Sequence, residues 1–215
     1  MNKGGMKGLC LVTDRNLCGG RPLEEVVLEA VRGGVTSVQL REKQLATRIF
    51  VATAAHLKAL LAPFGIPLII NDRVDVALAV GTHGVHVGQD DMPCETVRRL
   101  LGPTALIGLS VECWEDVVRA QDQPVDYLGV SPIFATPTKT DTRGAWGLEG
   151  LARIWAFSRH PLVAIGGLNE ANIPAVVRAG AEGIAVVSAL CAALDPRQAA
   201  EALKRSITDA GKQLP

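Results

Sequence analysis

The 215 residues suit one large domain, and a hydrophobic share of 48% supplies ample core for it. Charged residues make up 20%, with 22 basic against 22 acidic, a balance that argues against a nucleic-acid or membrane-surface partner. No apolar run approaches the roughly 20 residues of a membrane span. The opening "MNKGGMKGLCLVTD" lacks the apolar stretch and cleavage site of a signal peptide, so a cytoplasmic protein is expected.

In chain order, "GLCLVTD" (8–14) has the length and character of a strand, and Pro22 opens a helix over 22–32, in the first turn, which tolerates proline. "SVQLRE" (37–42) and a helix over 46–61 follow, then "PLIIND" (67–72) with a helix over 74–80. "GVHVG" (84–88) precedes a helix over 95–101, and "LIGLSV" (106–111) one over 114–120. "YLGVSPIF" (127–134) breaks into the loop "ATPTKTD" before a helix over 148–157. "PLVAIGG" (161–167) leads to a helix over 173–179, and "GIAVVSAL" (183–190) to a last one from Pro196 to about 209. Eight strand–helix pairs need crossover connections, hence parallel strands, and eight such units predict a single (β/α)8 barrel over 1–215. A doubly wound open sheet is the alternative, disfavoured by the count.

"GVTSVQL" (34–40), "GTHGVHV" (81–87) and "GAEGIAV" (180–186) repeat one pattern, in which a glycine ends a helix and a strand begins. Five scattered cysteines include no CxxC pair, so packed, reduced thiols are expected rather than a zinc site or disulfide framework.

Alternation along the strands then separates an inner from an outer face. Val38 and Leu40 share one face, and Gln39, Arg41 and Lys43 the other. Val85 and Val87 turn outward and His86 inward; Gly108, Ser110, Gly129 and Ser131 are inward as well. Polar groups on interior faces are costly without partners, and these lie near the C-terminal strand ends, where active sites of this fold occur.

Four groups converge on that rim: "QLREK", Asn71 and Asp72 after strand 3, Asp90 and Asp91 after strand 4, and the loop with Lys139. Asp72 and an aspartate after strand 4 could share one ion, and two carboxylates completed by water and phosphate describe Mg²⁺ better than zinc. The choice of Asp91 over Asp90 comes only with the family resemblance below. Capping of the next helix is the competing role for either alone. His83 and His86 fall on opposite faces of a strand, so they share no metal. His86 is either a substrate contact or a satisfied interior group. Gly166–Gly167 with Val187 and Ser188 form a second anion candidate, because the loops after strands 7 and 8 are this fold's habitual phosphate site. A tight turn is the alternative. No Ser-His-Asp or Cys-His set is evident. Residues 135–146, polar and without a core pattern, predict a mobile lid.

"LVTD", "VQLREK", "LIIND", "GVHVGQDD", "IGLSV", "GVSPIFATPTKTD", "GLEGL", "AIGGL" and "GIAVVSAL" together resemble the thiamine-phosphate synthase (thiamine-phosphate pyrophosphorylase) family over essentially the whole chain. The resemblance implies condensation of 4-amino-2-methyl-5-hydroxymethylpyrimidine diphosphate with 4-methyl-5-(2-phosphoethyl)thiazole, giving thiamine phosphate and pyrophosphate by a dissociative substitution. It implies that Gln39, Leu40, Arg41, Glu42, Lys43, Asn71, Ser110 and Lys139 contact the pyrimidine diphosphate. Arg41, Lys43, Lys139 and Ser110 would carry the catalysis. Asp72 and Asp91 would hold one Mg²⁺ per subunit, and Thr136, Pro137, Thr138, Gly167, Val187 and Ser188 the thiazole phosphate. Partners would be small phosphorylated molecules, with homo-oligomers allowed by the family. Gln44 stands where an acid often follows "QLREK", and "TRGAWGLEG" is an unusual loop exit; neither falls on a matched ligand position. The alternatives are a thiazole tautomerase-like paralogue, which would not need Asp72, Asp91 and Lys139 together, and a non-catalytic thiamine-phosphate-binding protein.

Overall fold

Residues 6–136 and 144–212 are described by the computed structural model. Eight parallel strands close into a barrel in chain order: β1 (Gly8–Val12), β2 (Ser37–Leu40), β3 (Leu68–Asn71), β4 (Gly84–Val87), β5 (Leu106–Val111), β6 (Tyr127–Val130), β7 (Leu162–Ile165) and β8 (Gly183–Val186). The barrel shuts where β1 pairs with β8, Leu9 opposite Ile184 and Leu11 opposite Val186. Around it lie α1 (Leu23–Arg32), α2 (Thr47–Leu61), α3 (Val74–Val80), α4 (Cys94–Leu101), α5 (Trp114–Ala120), α6 (Gly147–Phe157), α7 (Ile173–Arg178), α8 (Ser188–Cys191) and α9 (Pro196–Gly211). This is the (β/α)8 barrel that the alternating pattern predicts.

Helix α1 shows why the units form. Leu23, Val26, Val27, Ala30 and Val31 are buried, a spacing that makes one apolar stripe on a 3.6-residue helix. Glu24 and Glu25 sit in the first turn and Arg32 in the last, each favoured by the helix dipole. The repeat's glycines Gly34, Gly81 and Gly180 all adopt positive φ (108°, 64° and 107°), the left-handed exit that lets each helix turn back into a strand.

Two cores result from the alternation. Val38, Leu40, Leu68, Ile70, Val85, Val87 and Ile107 pack outward against the helices. Cys10, Val12, Ile69, Tyr127, Val163 and Ala185 fill the barrel. All five cysteines are free thiols, four of them buried. Burial pushes the Cys10 thiol up to about 11 and the Cys191 thiol up to about 12, so both stay protonated.

Several strands end sooner than their apolar runs suggest. After β1 the chain enters a 3-10 turn, Arg15–Cys18, whose start is capped by the Asp14 carboxylate accepting from Asn16 N–H at 3.0 Å. β6 stops at Val130; Pro132 has no N–H to extend a ladder, and Ile133 and Phe134 instead donate to Ile165 and Gly166 carbonyls at 2.9 and 3.1 Å. "VVSAL" reads as strand but turns helical: Leu190 and Cys191 N–H groups bond back to the Val187 carbonyl at 3.1 and 2.9 Å. A short apolar run does not distinguish the two by periodicity.

Candidate active site

A cavity of about 700 Å³ opens at the C-terminal ends of the strands. Of the residues singled out from the sequence, Gln39, Arg41, Lys43, Asn71, Asp72, Asp91, Ser110, Thr136, Gly167, Val187 and Ser188 line it. Leu40 and Glu42 do not: Leu40 lies in the outer core, and Glu42 pairs with Arg15 at 3.1 Å. Strand alternation turns Leu40 away while Gln39 and Arg41 point in. Pro137, Thr138, Lys139 and most of the expected lid lie outside the described residues.

One side of the cavity is charged. Lys43 Nζ donates to Asp72 Oδ2 at 2.6 Å, and Arg41 approaches Asp14 at 4.0 Å. Asp72 has φ of 62°, the one positive-φ residue other than glycine among the described residues. An αL conformation at a non-glycine site marks a constraint imposed by the surroundings. Here the Asp72 N–H donates to the His86 carbonyl at 2.8 Å, tying the strained turn to β4. Asp91 bends back so that its Oδ2 accepts from Gly88 N–H at 2.7 Å. Burial raises the Asp91 pKa, and the nearby Asp72 carboxylate raises it further by charge and direct contact, against the Gly88 hydrogen bond and the Lys43 charge. Neither aspartate caps its helix, since Arg73 and Pro93 occupy the N-cap positions of α3 and α4 and no side chain caps either.

The opposite side is neutral. Because Ile133 and Phe134 bond past the end of β7, the segment reaching Thr136 lies directly over Gly166 and Gly167. A Cβ on Gly167 (φ 67°) would stand 2.8 Å from Phe134 Cβ and 2.9 Å from the Ala135 carbonyl, so only glycine fits beneath this segment. Asn172 Nδ2 donates to the Gly167 carbonyl at 2.9 Å and fixes the turn. Val187 and Ser188 complete this side from the end of β8 and the start of α8.

The inner wall carries His86 and Ser110, which alternation turned inward, together with groups the sequence did not single out. His86 stands between the Tyr127 hydroxyl, 3.0 Å from Nδ1, and Ser110 Oγ, 2.8 Å from Nε2. His86 is therefore bonded on both ring nitrogens inside the barrel while itself lining the cavity. Tyr127 shares its face with Gly129 and Ser131, so the alternation that turned those two inward carried a signal for it. Gln89 Nε2 donates to the Ser110 carbonyl at 2.7 Å. Glu112, Asp116 and Arg119 also line the cavity, with Arg119 paired to Asp116 at 2.6 Å.

A sequence model of the family described as thiamine monophosphate synthase matches residues 9–190. Thiamine-phosphate synthase of Albidiferax ferrireducens is 63% identical over 199 residues, covering 93% of this chain and 91% of that relative. The chain belongs to the thiamine monophosphate synthase family. The Vibrio parahaemolyticus thiamine-phosphate synthase is 52% identical, over 84% of this chain and 89% of that relative. A solved thiamine phosphate pyrophosphorylase from Pyrococcus furiosus superposes with a TM-score of 0.87 at 39% identity, covering 97% of this chain and 98% of that one. A 3-hexulose-6-phosphate synthase, TM-score 0.67 at 20% identity, shares the barrel alone. The chain is thus an enzyme of the thiamine-phosphate synthase family, and among the described residues no helix is long and apolar enough to cross a membrane.

The site of this family member also suits the metal the sequence suggests. Burial and the neighbouring Asp72 carboxylate raise the proton affinity of Asp91, and with one lysine bonded to Asp72 the two carboxylates form a pair whose repulsion a divalent cation would relieve. Mg²⁺ takes few protein ligands and keeps places for water and phosphate oxygens. Among the described residues no cluster of three or more His, Cys, Asp or Glu competes for it.

Proposed function

We propose that the enzyme joins 4-amino-2-methyl-5-hydroxymethylpyrimidine diphosphate to 4-methyl-5-(2-phosphoethyl)thiazole, releasing pyrophosphate and thiamine phosphate. The observation that carries this reading is the division of one cavity into a carboxylate-and-cation side and a neutral side of backbone and hydroxyls. A diphosphate needs the stronger neutralisation and fits the first, beside Gln39, Arg41, Lys43, Asn71 and Ser110. The thiazole monophosphate fits the second, at Thr136, Gly167, Val187 and Ser188, with Pro137 and Thr138 assigned there by the family pattern and Lys139 to the diphosphate.

The chemistry asks little of a base. The C–O bond from the pyrimidine methylene to the diphosphate breaks, the ring amino group spreads the positive charge left on carbon, and the thiazole nitrogen lone pair forms the new C–N bond. Lys43 and Arg41 stabilise charge on the departing oxygens, and the walls hold the thiazole nitrogen in line. Asp72 and Asp91 would hold one Mg²⁺, which supplies charge neutralisation to the diphosphate. Free cysteines and the lack of a membrane-crossing helix among the described residues are consistent with a cytoplasmic setting.

The test is an omission assay. Purified protein with both substrates and Mg²⁺ is expected to release pyrophosphate and thiamine phosphate, and to release neither when one substrate or the metal is withheld. No product from well-folded protein, or thiazole isomerisation alone, would overturn the assignment.

A further inference from the structure

The chain's single tyrosine lies at the bottom of the cavity, 1% exposed, at the start of β6. Its hydroxyl makes one hydrogen bond among the described residues, to His86 Nδ1 at 3.0 Å. His86 Nε2 in turn lies 2.8 Å from Ser110 Oγ, which faces the cavity. Neighbouring strands leave space for this row of groups. A Cβ on Gly108 would fall 2.1 Å from Tyr127 Cζ and 2.4 Å from His86 Nδ1, and one on Gly129 would fall 2.7 Å from His86 Cε1. The glycines of "IGLS" and "LGVS" are therefore cut-outs for the two rings.

We propose that Tyr127 fixes the tautomer of His86 and thereby holds Ser110 as a hydrogen-bond donor toward the leaving diphosphate. The inference rests on the diphosphate subsite assigned above. The phenol is deeply buried, and burial raises its pKa well above 10, so it keeps its proton. Among the described residues that proton has one hydrogen-bond partner, His86 Nδ1, and a ring that accepts there is the neutral imidazole. A neutral ring with Nδ1 accepting carries its own proton on Nε2, which donates to Ser110 Oγ. The Ser110 proton cannot then be given to His86 and is left for the cavity. The opposite polarity would have Nδ1–H donate to the phenol oxygen and strand the phenol proton in the core without an acceptor.

A donor fixed in this way gains strength as negative charge builds on the departing oxygen, and among the described residues Ser110 Oγ bonds to no group but His86. No proton needs to change hands. Tyr127 and His86 are positioning residues in this scheme, and Ser110 is the group that touches substrate.

The direct test reads the tautomer in the full chain without substrate. Long-range ¹H–¹⁵N correlations of the four histidine rings, with His86 assigned through its ring-to-backbone connectivity, are expected to show the Nε2–H form. An Nδ1–H form would overturn the proposal, whatever the enzyme's substrates prove to be. In Tyr127→Phe the pattern is expected to become a tautomer mixture, and an unchanged pattern would count against Tyr127 as its cause. Kinetically, Tyr127→Phe should lower kcat about 10- to 100-fold with little change in KM. Its effect should vanish in the Ser110→Ala background. An equal loss in both backgrounds would refute the coupling.

Discussion

Replacing Asp72 by Asn separates the two tasks this residue performs, holding its turn and supplying charge. The change keeps the side chain's shape and removes one carboxylate from the pair with Asp91. Three structural consequences follow. The ion pair with Lys43 is lost, but the lysine side chain is 56% exposed, and such pairs contribute below about 1 kcal/mol. The backbone at φ of 62° costs Asn no more than Asp, because Asn is among the residues that tolerate this region. Asp91 is relieved of the neighbouring charge that raises its pKa, which acts in the stabilising direction at neutral pH. These terms are small and partly opposed, so the net change should stay within about 1 kcal/mol, a melting shift of roughly 2–4 °C for a chain of this size. Turnover should behave differently. Loss of a ligand is expected to cost about 100-fold or more at low Mg²⁺, beyond the effect of removing a ligand's outer partner. Differential scanning fluorimetry and a Mg²⁺ titration of pyrophosphate release measure the two. Wild-type turnover with wild-type Mg²⁺ dependence would remove Asp72 from the metal site; a collapse of the melting point matching the activity loss would make its role structural.

Three further outcomes are expected. Because the native Asp91 pKa is raised above its ordinary 3.8, the folded protein binds that proton more tightly than the unfolded chain. Stability without metal should therefore fall as pH rises from near 4 through the raised value, seen as declining urea midpoints, and Asp91→Asn should flatten that slope. Gly167→Ala meets both a left-handed backbone and a Cβ contact of 2.8 Å, so it should cost about 1–3 kcal/mol. It should also raise KM for the thiazole phosphate far more than for the pyrimidine diphosphate, and an equal effect on both would argue against a divided cavity. Gly108→Ala, whose Cβ would sit 2.1 Å from Tyr127 Cζ, should destabilise by about 1–3 kcal/mol or more in urea unfolding. A neutral result would mean that the Tyr127–His86 pair is free to move.

Much of the barrel was written plainly in the chain. β5 and helices α3 and α5 span the predicted residues because period and boundary agree there: alternation in "LIGLSV", and helical spacing that starts at Val74 and Trp114. Inward placement of Gln39, His86 and Ser110 followed from the same alternation. β8 was overrun because "GIAVVSAL" is apolar throughout, and only hydrogen bonding reveals that Ser188 already belongs to a helical turn. Contacts across the barrel were not legible. Tyr127 and His86 meet because both stand in register with Gly108 of β5, a pairing across strands with no sequence spacing to announce it. Likewise, spacing alone could not choose between Asp90 and Asp91. Asp91 carries the Gly88 hydrogen bond and the contact with Asp72.

The division of the cavity is tested most directly by a crystal structure of the enzyme with Mg²⁺, pyrophosphate and thiamine phosphate. Pyrophosphate and the metal should lie against Lys43, Asp72 and Asp91, with Ser110 Oγ within hydrogen-bond distance, and the monophosphate over Gly167 and Ser188. Both phosphate groups on one side, or the two exchanged, would contradict it.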